Sequence, residues 1–159
     1  MSMIQMLTLG GGSASMLTSE QLRTKGSAIG DMTQNGGLSA AFDGSTSGNF
    51  TSGARKDPSS GANIGRNFGE AVTIDSVTLV RPDGDGQSGS NCFPGEGGGT
   101  YSIQTSSNGS SYTTVASVSG TTSKSIEITF DATSAQYWRV LFTGDGNGGT
   151  VQEMTFNTQ

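Results

Sequence analysis

Alternation of apolar and polar residues predicts an all-β sandwich. Three observations carry that expectation. The apolar residues fall in short runs with a period close to two, 26 glycines punctuate those runs, and no long amphipathic helical stretch occurs.

Residues 1–37 differ in texture from the rest. Five of the six methionines lie in the first 32 residues, with "GGGSAS" and "QNGG" as turn-prone punctuation. Between them, "TSEQLRTKGSAIGDM" predicts a short helix capped by Thr18 or Ser19 and ended by Gly26. The expectation is an N-terminal arm or anchor over 1–37, the alternative being a partly disordered leader, followed by a sandwich over 38–159.

The strands follow in order. "VTIDSVTLV" (72–80) alternates loosely, with Ile74 and Val77 to Leu79 inward. "TYSIQTSSNGSSYTTVASVS" predicts a hairpin, because Asn108-Gly109 accepts positive φ between two alternating runs. "SIEITF" (125–130) puts Ile126, Ile128 and Phe130 on one face. "QYWRVLF" (136–142) offers apolar groups to both sides, as a central strand does. Trp138 then faces the core, while Tyr137 and Arg139 share the opposite face, where Arg139 is expected to pair with a carboxylate or carbonyl. "VQEMTF" (151–156) closes the chain with one more alternating strand.

Composition excludes several functions. A net charge of −5 and a pI near 4.4 argue against nucleic acid, whose phosphates need clustered Lys and Arg. No apolar stretch approaches the ~20 residues of a membrane span. The N-terminus lacks the basic start and long apolar core of a signal peptide, so export by the general route is not expected. The single cysteine, Cys92, makes no internal disulfide, and without histidine it lacks the usual activating base. The absence of histidine also removes the usual zinc sites and His-based catalysis.

The order of the segments resembles the discoidin-like family, the coagulation-factor type C domains and related carbohydrate-binding modules. "AAFDGSTSGNF" resembles the family's Ala-x-Asp-Gly opening, with Phe50 where Trp is usual. "NFGEAVTIDSVTL" is similar to its Asp-Leu-Gly segment and the strand beyond, with Asn67 in place of Asp. "YSIQTSSNGSSYTTV" resembles its central hairpin, with Tyr112 for Trp. "AQYWRVLFTG" and "VQEMTF" are similar to its last strands, with Gln136 for the family's first Arg. Five segments in the right order imply a galactose-binding-like jelly-roll β-sandwich over residues 38 to 156.

The resemblance also implies a structural calcium held between the Asp-Gly loop and the final strand. Carried over, Asp43 and Glu153 supply carboxylates, and Ala40, Ser45, Gly48 and Val151 supply carbonyls. Gly48 replaces a Thr common in the family. Calcium takes about six to eight hard oxygens, many of them backbone carbonyls. The other reading is that Asp43 closes an Asx-turn and Glu153 is a solvated strand residue.

The longest stretch without strand character is "RPDGDGQSGSNCFPGEGGG" (81–99), and loops of this length are usually functional or disordered. Sugar recognition needs planar polar groups and an aromatic face, which Arg81, Asp83, Asp85, Asn91 and Phe93 offer. The alternative is a solvated glycine-rich insertion. The shorter loop "TGDGNGGT" (143–150) invites the same pair of readings. Acidic and glycine loop tips argue against membrane insertion.

Together these readings predict a non-enzymatic, adhesive component of a virion, such as a bacteriophage tail, fibre or head decoration. It would display the sandwich to host-surface glycans and reach other virion proteins in an oligomeric assembly through its N-terminal arm. The alternative is a soluble, extracellular carbohydrate-binding module of a polysaccharide-processing system.

Overall fold

The computed structural model describes residues 16–49, 51–56, 61–83, 93, 98–144 and 149–158. The first element is the predicted short helix, α1 (Ser19–Thr24). Thr18 caps it with a reciprocal pair: its hydroxyl accepts from the Gln21 amide, and the Gln21 side chain accepts from the Thr18 amide. Gly26 follows at φ 72°, and a Cβ there would collide with the Asn67 carbonyl. The chain thus leaves the helix at the one residue type that can lie so close to the neighbouring backbone.

That close approach starts β1 (Ser27–Gly30), which pairs antiparallel with the long β4 (Asn63–Val80). β2 (Gln34–Asn35) comes next, then a 3-10 helix over Leu38–Phe42 and β3 (Ala54–Lys56). After β4 come β5 (Thr100–Ser106), β6 (Thr113–Ser119), β7 (Ser125–Thr143), β8 (Gly149–Val151) and β9 (Glu153–Asn157). The main sheet runs β1-β4-β7-β5-β6, with β9 on the β4 edge, and a small sheet runs β2-β3-β8.

β4 and β7 build the sandwich by bending together. Between Asn67 and Val72 the register shifts on β4, and between Ile74 and Ser76 it shifts again against β7. Bulges of this kind bend and twist a pair of strands. Phe130 and Trp138 show the result, since straight strands advance about 3.3 Å per residue. Eight residues apart on β7, they stack with ring centroids 5.7 Å apart, so the strand has folded back over the core.

The core is aromatic at its centre. Phe156 packs edge-on to Phe68 and Trp138 and stacks on Phe42, and Tyr101 packs edge-on to Phe142. Ile74, Val77, Leu79, Ile103 and Trp138 are fully buried, and Ile126 and Phe130 pack against the core, as alternation predicts. β7 lies between β4 and β5, the central place expected for "QYWRVLF".

Two expectations are corrected here. Leu22 and Met32 are fully buried in the core, and β1 is part of the main sheet. Residues 17–37 are therefore built into the sandwich and are no arm; residues 1–15 lie outside the described residues. The hairpin forms at Asn108-Gly109, but only Gly109 takes positive φ, and β5 and β6 part between Ser106 and Thr113. The wider loop is knitted by Asn108, whose side-chain oxygen accepts from the Ser110 and Ser111 amides. Arg139 pairs with a carbonyl, as expected: it donates to the Gln104 side-chain amide oxygen, and it lies 3.6 Å over the Tyr112 ring.

Candidate functional site

Two regions hold the residues that the sequence singles out. The first is a corner where the 3-10 helix ends and β9 begins. Asp43 caps the helix, and its Oδ1 accepts from the Ser45 amide at 2.8 Å, the local ring of an Asx-turn. The next residue, Gly44, holds φ 83° and points its amide at Glu153 Oε2, 3.0 Å away. The Asp43 backbone amide lies near enough to favour the charged Glu153 carboxylate as well. The early acidic turn and the last strand are thus neighbours, 109 residues apart in sequence.

Glu153 is not the solvated strand residue of the alternative reading, since it is only 2% exposed. Its Oε1 is buried and has no hydrogen-bond partner among the described residues. Burial, and then the nearby Asp43 charge, push its carboxyl up to about 7, against the pull of the Gly44 amide and Arg23. Arg23 comes from α1. Its guanidinium is tied to Glu20, donates to the Phe42 carbonyl at 2.9 Å, and lies beside Gly44. An open cavity of about 210 Å³ separates these groups, lined by Ser19, Arg23, Gly44, Thr46, Glu153 and Thr155.

The other candidate metal positions are partly engaged elsewhere. The Gly48 carbonyl accepts from the Asp83 amide at 2.6 Å, and the Gly48 amide donates to Asp83 Oδ2. The Ser45 hydroxyl donates to the Ser47 carbonyl. Ala40 is buried in the 3-10 helix, and Val151 is buried in β8 opposite Ala54. Among the described residues no three acidic, His or Cys side chains converge. The orphaned Glu153 oxygen beside Asp43 still fits a hard cation, because a buried carboxylate needs a positive partner or a proton.

The second region is the loop end of the sandwich. Lys56 pairs with Gly149 and Thr100 with Thr143, so β3–β4, β4–β5 and β7–β8 loops leave one end together. Asp83 stands at the rim, where it accepts from Lys124 Nζ at 2.6 Å and from the Gly48 amide, both holding its carboxyl below the ordinary range. Arg81 is half-buried and joins the same rim through its backbone, its amide donating to Lys124 and its carbonyl accepting from Lys124 Nζ.

The expected sugar-facing set is corrected at one of these residues. Phe93 is fully buried, edge-on to Tyr101 with centroids 5.7 Å apart, so its ring is a core residue and no sugar platform. Asp83 accepts from Lys124 and Gly48 and stays exposed at the rim. Asp85 and Asn91 lie outside the described residues, as do Asp145 and Asn147 of the shorter loop. The sequence reading missed Arg23 and Lys124, the cations that face these acids. No spacing rule marks them, because each reaches its partner only through the folded chain.

The model of the F5/8 type C domain matches residues 24–155. The lectin domain of lectinolysin, solved with Lewis B antigen, is similar at a TM-score of 0.68 and 16% identity, covering 90% of this chain and all of that one (100%). A fucose-binding module of Streptococcus pneumoniae aligns with a TM-score of 0.65 and 14% identity over 84% of this chain and 92% of its own. The CBM32 module of AlyQ, solved with 4,5-unsaturated mannuronic acid, gives 0.62 and 20% over 84% and 95%. Among curated protein sequences none matches.

Proposed function

The chain belongs to the F5/8 type C domain family, and from that premise we propose that it is a non-catalytic carbohydrate-binding module. The observation that supports this most is that its sandwich aligns almost end to end with modules solved with glycans bound. The fold of the module presents several loops at one end, and the β3–β4, β4–β5 and β7–β8 loops are the proposed binding surface. Arg81 and Asp83 stand at its rim, and Asp85 and Asn91 are carried by the β4–β5 loop itself. Phe93 has no part in it, since its ring is buried.

A structural calcium is part of the proposal. Asp43 and Glu153 would hold it with carboxylate oxygens, and Ala40, Ser45, Gly48 and Val151 are the candidate carbonyl donors. When bound, the ion supplies fixed positive charge to the corner and ties the early turn to β9. It performs no chemistry on a ligand. Display on a virion surface is one setting for such a module, and a soluble extracellular lectin is the other.

A glycan array probed with the purified full chain tests the function. Binding of a defined set of sugars, reduced at least ten-fold by Arg81→Ala, supports it. Absence of binding to every glycan, or turnover of any polysaccharide, overturns it. Immunogold labelling of virions separates the two settings.

A further inference from the structure

A groove that the glycan reading leaves unused lies on the far side of α1. It has a volume of about 390 Å³, and its walls include Met16, Leu17, Leu22, Ala71 and Val72. Met16 is 55% exposed, the one exposed large hydrophobic side chain among the described residues. Exposed apolar side chains beside an apolar groove mark a surface that something covers.

Among the described residues, the backbone beside the groove also has no strand partner on one edge. β7 pairs along one edge of β4, while β1 takes the other edge at residues 64–67 and β9 takes it at 76–80. Between them, no described strand pairs with β4 on that second edge, and Glu70, Ala71, Val72 and Thr73 there are the groove's floor. An open edge with an apolar pocket beside it is the geometry that accepts an added strand.

We infer that the occupant is the chain's own N-terminal segment, residues 1–9. Six of those nine residues are apolar: Met1, Met3, Ile4, Met6, Leu7 and Leu9. The segment joins the described structure at Met16, which is itself a wall of the groove. The six residues between, "GGGSAS", are a glycine-rich stretch long enough to reverse the chain, since hairpin loops need only about 2–5 residues. A tether this short holds the segment at an effective concentration of order millimolar, above that of any second copy in dilute solution. Paired as a strand along residues 70–73, the segment turns one face, Met1, Met3, Leu7 and Leu9, toward the groove beside Met16 and Leu17.

Hydrogen exchange read by mass spectrometry on the full chain at low micromolar concentration tests this. The expected result is exchange in residues 1–9 slowed at least ten-fold relative to a free peptide of that sequence. Ala71→Arg blocks the groove at an exposed position and Leu7→Asp disables the segment. Each variant is expected to return the segment to peptide-like exchange while the core amides stay protected. Exchange as fast as the free peptide in the unmodified chain overturns the inference. So does protection that appears only as the concentration rises and sedimentation shows dimers, which would make a second copy the occupant.

Discussion

The buried corner and the exposed loop rim treat the same chemical group in opposite ways. At the rim, Asp83 stands in water with Lys124 and the Gly48 amide beside it, and its carboxyl is held low. At the corner, Glu153 has two backbone amides and a nearby arginine, and its carboxyl still rises to about 7. The difference lies in solvent. Desolvation penalises the ionised form more than two amides and a partly committed guanidinium can offset, whereas an exposed acid needs only a modest partner. The corner therefore carries tension that a proton or a cation relieves, and the rim carries none.

The two largest expected effects are of similar size, and one comes from taking away the acceptor. Glu153→Ala leaves the Gly44 amide without its partner in a buried site, and an unmet buried group costs ~1–3 kcal/mol. Urea denaturation at pH 5, where the native carboxyl is neutral, is expected to show that loss. An unchanged midpoint would mean that the amides find water.

Next comes pH. The folded carboxyl titrates near 7 and the unfolded one near 4.5, so the native state holds the extra proton between those values. Stability is then fully present below about pH 4.5 and is lost as pH rises through 7, by up to about 3 kcal/mol. Chelator-treated protein is expected to show this fall in thermal melts. Glu153→Gln is expected to flatten it, and millimolar calcium to reverse it if the cation takes the proton's place. A flat profile in chelator would remove the contrast between the two regions.

A smaller effect tests Arg23. It pulls the Glu153 carboxyl down, so Arg23→Ala is expected to raise that titration further, measured by carbon NMR of the carboxyl. No upward movement would mean that the guanidinium is spent on Glu20 and Phe42. The smallest effect belongs to the rim. Lys124→Ala removes an exposed ion pair, and such pairs contribute little. Its melting temperature is expected to match that of the unmodified chain, while Asp83 titrates closer to an ordinary aspartate.

Parts of this were legible before any fold was known. Alternation placed Trp138 inward and Tyr137 outward, since successive side chains on a strand take opposite faces. Thr18 or Ser19 is the expected helix cap, and Thr18 is the one that caps it. The resemblance of the Asp-Gly turn and the final strand to a known family brought Asp43 to Glu153. Phe93 was read wrongly because a glycine-rich neighbourhood suggests exposure, yet its ring finds Tyr101 in the core. The sequence suggests an arm over residues 1–37 because, within 17–37, a four-residue strand and two lone apolar side chains leave almost no periodic signal. Their place was set by β4, Leu22 and Met32 finding a shared interior.

By itself the amino-acid order determined which faces the strands turn inward, where the helix starts and that the interior is aromatic. These are local matters, decided by periods of two and by neighbours three residues away. The tertiary structure alone decided that β4 and β7 bend, that Arg23 and Glu153 share a cavity, and that one acid is dry and another wet. Burial depends on what the rest of the chain places around a residue, and that is a property of contacts about a hundred positions distant, beyond the reach of any local pattern.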